Sequence, residues 1–177
     1  MTSSLHTRMP LPGSRSGVAG FTLVELLVAI AVLAILLALA APNFNDATLS
    51  ARLNGFANSL VASAQVARSE AIKRNSDITL CASADGSTCA GSGGWEQGWV
   101  VLSGATVLQV QQALPTEFKV TQTGGTASLT FPGTVVGTST AILTLCRLTP
   151  VGNEERVVTI NGTGGAYVTI TTAGACS

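Results

Sequence analysis

Residues 20–41, GFTLVELLVAIAVLAILLALAA, constrain this chain more than any other stretch: a glycine, then an apolar run whose only charged member is Glu25. At ~1.5 Å rise per residue, positions 21–41 would make a helix ~30 Å long, the thickness of a bilayer's hydrocarbon core. A membrane span is the expectation. Upstream, residues 1–20 carry Arg8 and Arg15 and no acid, a basic flank that keeps this end in the cytoplasm and directs the remainder across.

Glu25 is the anomaly. An acid inside an apolar span is unfavourable by ~2.5–3.5 kcal/mol on insertion scales and calls for a partner, yet positions 21–41 contain no cation. Cleavage after Gly20 would create one, the α-amine of Phe21, about one helical turn from Glu25 in the same chain or in a neighbouring copy. Two plainer readings compete. Ala38-Leu39-Ala40 has the A-x-A form of a secretory cleavage site, and the segment would also serve as a simple anchor. Neither accounts for Glu25 or for the Gly-Phe junction.

The hexapeptide Gly20-Phe21-Thr22-Leu23-Val24-Glu25 with its apolar continuation resembles the class III signal of type IV prepilins and pseudopilins. The resemblance implies that a prepilin peptidase cuts between Gly20 and Phe21, that the new Phe21 amine is methylated, and that Glu25, at the fifth mature position, serves assembly. Pro42 falls where members of that family carry a helix-kinking proline.

Residues 1–20 then form a disposable leader, rich in Ser, Gly and Pro and holding His6, the only histidine. About 135 residues remain beyond the leader and the span, enough for one globular domain with its own core. Arg8 and Arg15 leave with the leader, whereas all nine Asp and Glu lie downstream, so the mature chain is mildly acidic and advertises no affinity for nucleic acid or anionic lipid. Cys81, Cys89, Cys146 and Cys176 all fall in the part expected outside the cytoplasm, where thiols oxidise. Three connectivities are open; Cys81 with Cys89 and Cys146 with Cys176, each joining sequence neighbours, is preferred.

Past Pro42 the helical pattern resumes. Leu49, Leu53, Phe56, Leu60, Ala64, Ala67 and Ala71 recur at spacings of four and three, with Arg52, Asn54, Asn58, Gln65 and Arg68 largely off that stripe. Residues 42–75 therefore read as an amphipathic continuation whose apolar face, led by Leu53, Phe56 and Leu60, needs a sheet to lie on. Asn75-Ser76 is the expected end, and Glu70 can meet Lys73 or Arg74 across one turn. The result is one helix of about fifty residues, kinked or loosened at Pro42.

Residues 76–177 switch to β-branched and Gly/Ser/Thr types. Short runs at 78–81, 99–102, 107–110, 118–121, 128–131, 141–146, 156–160 and 167–171 are separated by breakers such as Asp85-Gly86, Pro132-Gly133 and Gly164-Gly165. One helix followed by consecutive strands makes the class α+β: a long N-terminal helix packed on an antiparallel, β-sandwich-like domain.

With the leader gone no histidine remains, which excludes Ser-His-Asp and Cys-His catalysis and histidine metal ligation; no catalytic, metal or cofactor residue is expected. Zinc would need tight C-x-x-C pairs, Asp85-Gly86-Ser87 lacks the acid density of a calcium loop and reads as a turn, and no glycine stretch has the form of a phosphate cradle. Glu154-Glu155-Arg156 reads as an exposed loop ending.

The segment ARSEAIKRN at 67–75, the Cys81 strand and Cys89 loop, Trp95-Glu96-Gln97-Gly98-Trp99 and Leu145-Cys146 extend the resemblance to the GspH/FimT group of minor pilins. That resemblance implies a low-copy, single-pass inner-membrane subunit with a periplasmic domain, which helps initiate or cap a type IV pilus. Its partners would be prepilin peptidase, other major and minor pilins or pseudopilins, and an inner-membrane assembly platform. The alternatives it carries are a minor pseudopilin of type II secretion and a DNA-binding minor pilin for transformation. The last is disfavoured: DNA-binding members use a GRxR-like stretch, and the matching Gly164-Gly165-Ala166-Tyr167 has no arginine. Lys119, Arg147 and Arg156 would have to gather on one face to replace it.

Overall fold

A computed structural model describes residues 20–124, 127–134 and 137–172, with the side chains at 39–43 excepted. The chain divides into two units, Met1–Pro42 and Asn43–Ser177. Helix α1, Leu23–Arg74, is 52 residues long and continues through Pro42, matching the helix of about fifty residues that the periodicity predicts.

In the second unit α1 buries Leu53, Ala57, Leu60, Ala64, Ala67 and Ala71, the expected stripe with Ala57 added, while Arg52, Asn54, Asn58 and Gln65 point outward. Phe56 is half-buried, edge-on to Phe118 with ring centroids 5.1 Å apart. The small alanines let strands approach closely, and the larger Leu53 and Leu60 fill the space between. Asn75 ends the helix in the left-handed region, φ 47°. Its N–H reaches the Ile72 carbonyl and the Ser76 N–H reaches that of Ala71, the paired bonds of a Schellman stop. Glu70 meets both expected cations, Arg74 at 2.6 Å and Lys73 at 3.4 Å.

Eight strands follow: β1 Ile78–Ala82, β2 Trp99–Ser103, β3 Thr106–Gln111, β4 Phe118–Thr123, β5 Ser128–Phe131, β6 Ala141–Arg147, β7 Glu155–Ile160 and β8 Ala166–Thr171. They form two antiparallel four-stranded sheets, ordered β3-β2-β1-β5 and β4-β6-β7-β8. Alternation decides which side faces the helix: Ile78, Leu80 and Ala82 of β1, and Leu143 and Leu145 of β6, join α1 in a single core. A smaller cluster, Cys81, Val100 and Leu102, forms from the residues that alternate with these.

The Trp motif contributes to this core. Trp95, in a 3-10 turn at Trp95–Gln97, and Trp99 are both buried. Gly98 between them has φ 102°, and a Cβ there would stand 2.5 Å from the Gln111 carbonyl oxygen, so no other residue fits this crossing. The Cys81–Cys89 disulfide is present, with Cα atoms 5.5 Å apart. Cys146 is buried, but its expected partner Cys176 lies outside the described residues, as does the leader apart from Gly20.

One expectation is corrected. Glu154-Glu155-Arg156 is not an exposed loop ending: Glu155 and Arg156 open β7 and are buried at 5% and 3% exposure. Arg156 donates to Asn54 on α1, to the Glu155 carbonyl and to the Glu154 carboxylate. A guanidinium enters the interior here because these acceptors surround it.

Candidate assembly site on the N-terminal helix

The first unit presents one long apolar surface. Every described residue from position 20 to 38 is exposed, including Phe21 at 81% and Leu23 at 75%. A helix apolar all round must be covered, by lipid or by other helices. Among the described residues no helix is long and apolar enough to cross a membrane; the span expected over 21–41 includes positions whose side chains lie outside the described set.

The start of α1 gives Glu25 a local setting that the sequence reading overlooked. The Thr22 hydroxyl accepts the Glu25 N–H at 3.2 Å, and the Thr22 carbonyl accepts the Leu26 N–H. Thr22 is thus the N-cap and Glu25 the third helical residue, the T-x-x-E spacing of a capping box. An acid in the first turn also meets the positive end of the helix dipole. Thr22 and Glu25, three apart just before an apolar run, carry this signal in the sequence itself.

The domain is locked onto its half of α1 by polar bonds from buried or half-buried groups of the strands. Ser63, fully buried, accepts from the Trp99 indole N–H at 2.9 Å and the Gln109 amide at 3.1 Å, and donates to the Ser59 carbonyl at 2.9 Å. Ser59 bonds Gln111 at 2.8 Å. Farther toward residue 43, Arg147 donates to Asp46 at 3.0 Å. One sheet is thus tied to α1 near Ser63, the other at Asp46 and Asn54.

This arrangement separates the three cations that a DNA face would need. Leu145 and Arg156 are register partners, as are Phe118 and Arg147, so both arginines share the core-facing side of their sheet and are buried and bonded. Lys119 pairs with Cys146 on the alternate side. Ala166 and Tyr167, the latter half-exposed, lie on β8, and Gly164 and Gly165 belong to the β7–β8 turn, where Asn161 accepts the N–H groups of Thr163 and Gly165.

Asp85 is a turn residue, as expected. The backbone N–H of Ser87, the backbone N–H of Thr88 and the Thr88 hydroxyl hold its carboxyl well below the usual aspartate range. Among the described residues no three His, Cys, Asp or Glu side chains gather into a metal-binding group.

Residues 57–164 match the family described as type II transport protein GspH, and residues 15–41 match the prokaryotic N-terminal methylation motif. No curated protein matches the chain. Two crystal forms of the type IV minor pilin FimU of Pseudomonas aeruginosa align with TM-scores of 0.53 and 0.52, each at 20% identity, over 69% and 66% of this chain and 91% of FimU. The minor pseudopilin EpsH of the Vibrio cholerae type 2 secretion system aligns at 0.48 and 15% identity, over 68% of this chain and 97% of its own. The FimU likeness is one of fold, the long helix on two antiparallel sheets. Since the GspH match covers more than half of the chain and the methylation motif covers its apolar N-terminal segment, the protein belongs to the GspH family of pilin-like subunits, the minor pilins and pseudopilins.

Proposed function

We propose that this chain is a minor pilin: prepilin peptidase cuts between Gly20 and Phe21, Phe21 is N-methylated, residues 21–41 hold the subunit in the inner membrane with its domain in the periplasm, and the subunit then helps initiate or cap a type IV pilus. The observation that carries this reading is the apolar helix exposed on every side and attached to a GspH-family domain. Once the leader is removed, the ammonium of Phe21 pairs with Glu25 of its own or an adjacent subunit, within a low-dielectric bundle where charge pairing is far stronger than in water. Packing of the 21–41 segments holds the subunits together. DNA uptake is disfavoured by the missing arginine at 164–167 and by the burial of Arg147 and Arg156.

The second reading is a minor pseudopilin of type II secretion, favoured by the description of the matching family. Deleting the gene in its host and measuring sheared filaments and secreted proteins in one preparation separates the two. Filament loss with secretion intact supports the pilus; lost secretion with normal filaments supports the pseudopilus. No change in either would reject an essential assembly role.

A further inference from the structure

The β6–β7 hairpin, residues 148–154, has an apolar tip with no function so far. Val151 is 77% exposed and Leu148 41%, and no charged residue occurs from position 148 to 153. The groups that border the tip are charged but paired: Arg147 with Asp46 at 3.0 Å, and Arg156 with Glu154 at 3.0 Å. The tip therefore offers apolar side chains inside a rim whose ion pairs cancel, which suits neither a basic nor an acidic partner.

Its place in the fold points to one occupant. Arg147, the last residue of β6, is bonded to Asp46, close to Asn43, where the domain begins. Contacts farther along the chain follow in order on α1: Arg156 with Asn54, Phe118 with Phe56, Gln111 with Ser59, Trp99 with Ser63. β7 starts at Asn54 with Arg156 and leads into the turn whose Gly164 lies beside Arg68. Its antiparallel partner β6 therefore runs back along α1, and the β6–β7 hairpin occupies the end of the domain where the chain enters it at Asn43. Phe44, at the same end, is 73% exposed.

We propose that Val151 and Leu148 insert at the headgroup–acyl boundary of the bilayer that holds residues 21–41, as a second, shallow contact that rests on the membrane-span reading above. Apolar side chains at that depth gain by leaving water without needing anionic lipid. The contact holds the domain down on the membrane before the subunit enters a filament and is given up on extraction.

The test uses the full chain, with and without Val151→Trp, in phosphatidylcholine vesicles whose acyl chains are brominated near the headgroup, near the middle, or not at all. Position 151 is exposed, so a folded variant keeps the near-ultraviolet circular dichroism of the buried Trp95 and Trp99. The expected result is co-flotation of both proteins and quenching of the added tryptophan by roughly twofold or more, strongest for shallow bromines, as for a group 5–10 Å into the interface. Co-flotation without added quenching overturns the hairpin contact and leaves the span intact. Failure to float overturns the span and the contact with it. A position-151 emission change that depends on protein density and not on bromine depth means contact between subunits, and also overturns the proposal.

Discussion

Replacing Ser63 with Ala probes what holds α1 against the sheets. The Ser63 hydroxyl lies in the interior, accepting from Trp99 and Gln109 and donating to the Ser59 carbonyl. Its removal leaves the Trp99 N–H, on a side chain only 1% exposed, without an acceptor, a loss of ~1–3 kcal/mol for a buried donor. The half-buried Gln109 amide loses its acceptor as well. The expected destabilisation is about 2 kcal/mol. Urea unfolding of the full chain in detergent, followed by circular dichroism, measures it. A cycle with Trp99→Phe cancels the volume lost with the indole and should return a coupling of about 1–2 kcal/mol. A Ser63→Ala loss under about 0.5 kcal/mol, or a coupling near zero, would refute the idea that this hydroxyl fixes the helix on β2 and β3.

Other outcomes follow from the same geometry. Glu25→Ala and Glu25→Gln should both be cleaved and both fail to enter filaments; since Gln still fits a capping box, wild-type incorporation of the Gln variant would reassign Glu25 to helix capping alone. Replacing Cys81 and Cys89 with Ser opens a loop of sequence separation 8 and should destabilise by ~2.5 kcal/mol on loop-closure grounds; an unchanged urea midpoint would contradict it. Asp85, whose folded pKa is depressed by the Ser87 and Thr88 N–H groups, contributes fully above the ordinary aspartate value and loses that contribution as pH falls below about 4. Asp85→Asn should flatten this acid-side slope; an identical slope in the variant would place the acid sensitivity elsewhere.

Much of the fold was legible because it rests on local periodicity. The spacing from Leu53 to Ala71 predicted the buried face of α1, and all eight β-rich runs became strands, most within one or two residues at each end. What stayed hidden depends on distant partners. Arg156 looked like a loop cation because its acceptor Asn54 lies 102 positions away. Ser63 carries no local sign of its role, because Trp99 and Gln109 supply its bonds from 36 and 46 positions off. The strand order is likewise a product of pairings such as β1 with β5, which no run of residues encodes by itself. At the candidate assembly site, Gly20, Phe21 and Glu25 are visible as a motif, and Thr22 as the cap is equally local, three residues before Glu25.

The most direct measurement is the N-terminus of the protein extracted from host membranes, by sequencing and intact mass. Assembly through Phe21 and Glu25 predicts a chain beginning at N-methylated Phe21. A chain beginning at Ala41, or one still carrying Met1 to Gly20, would contradict it.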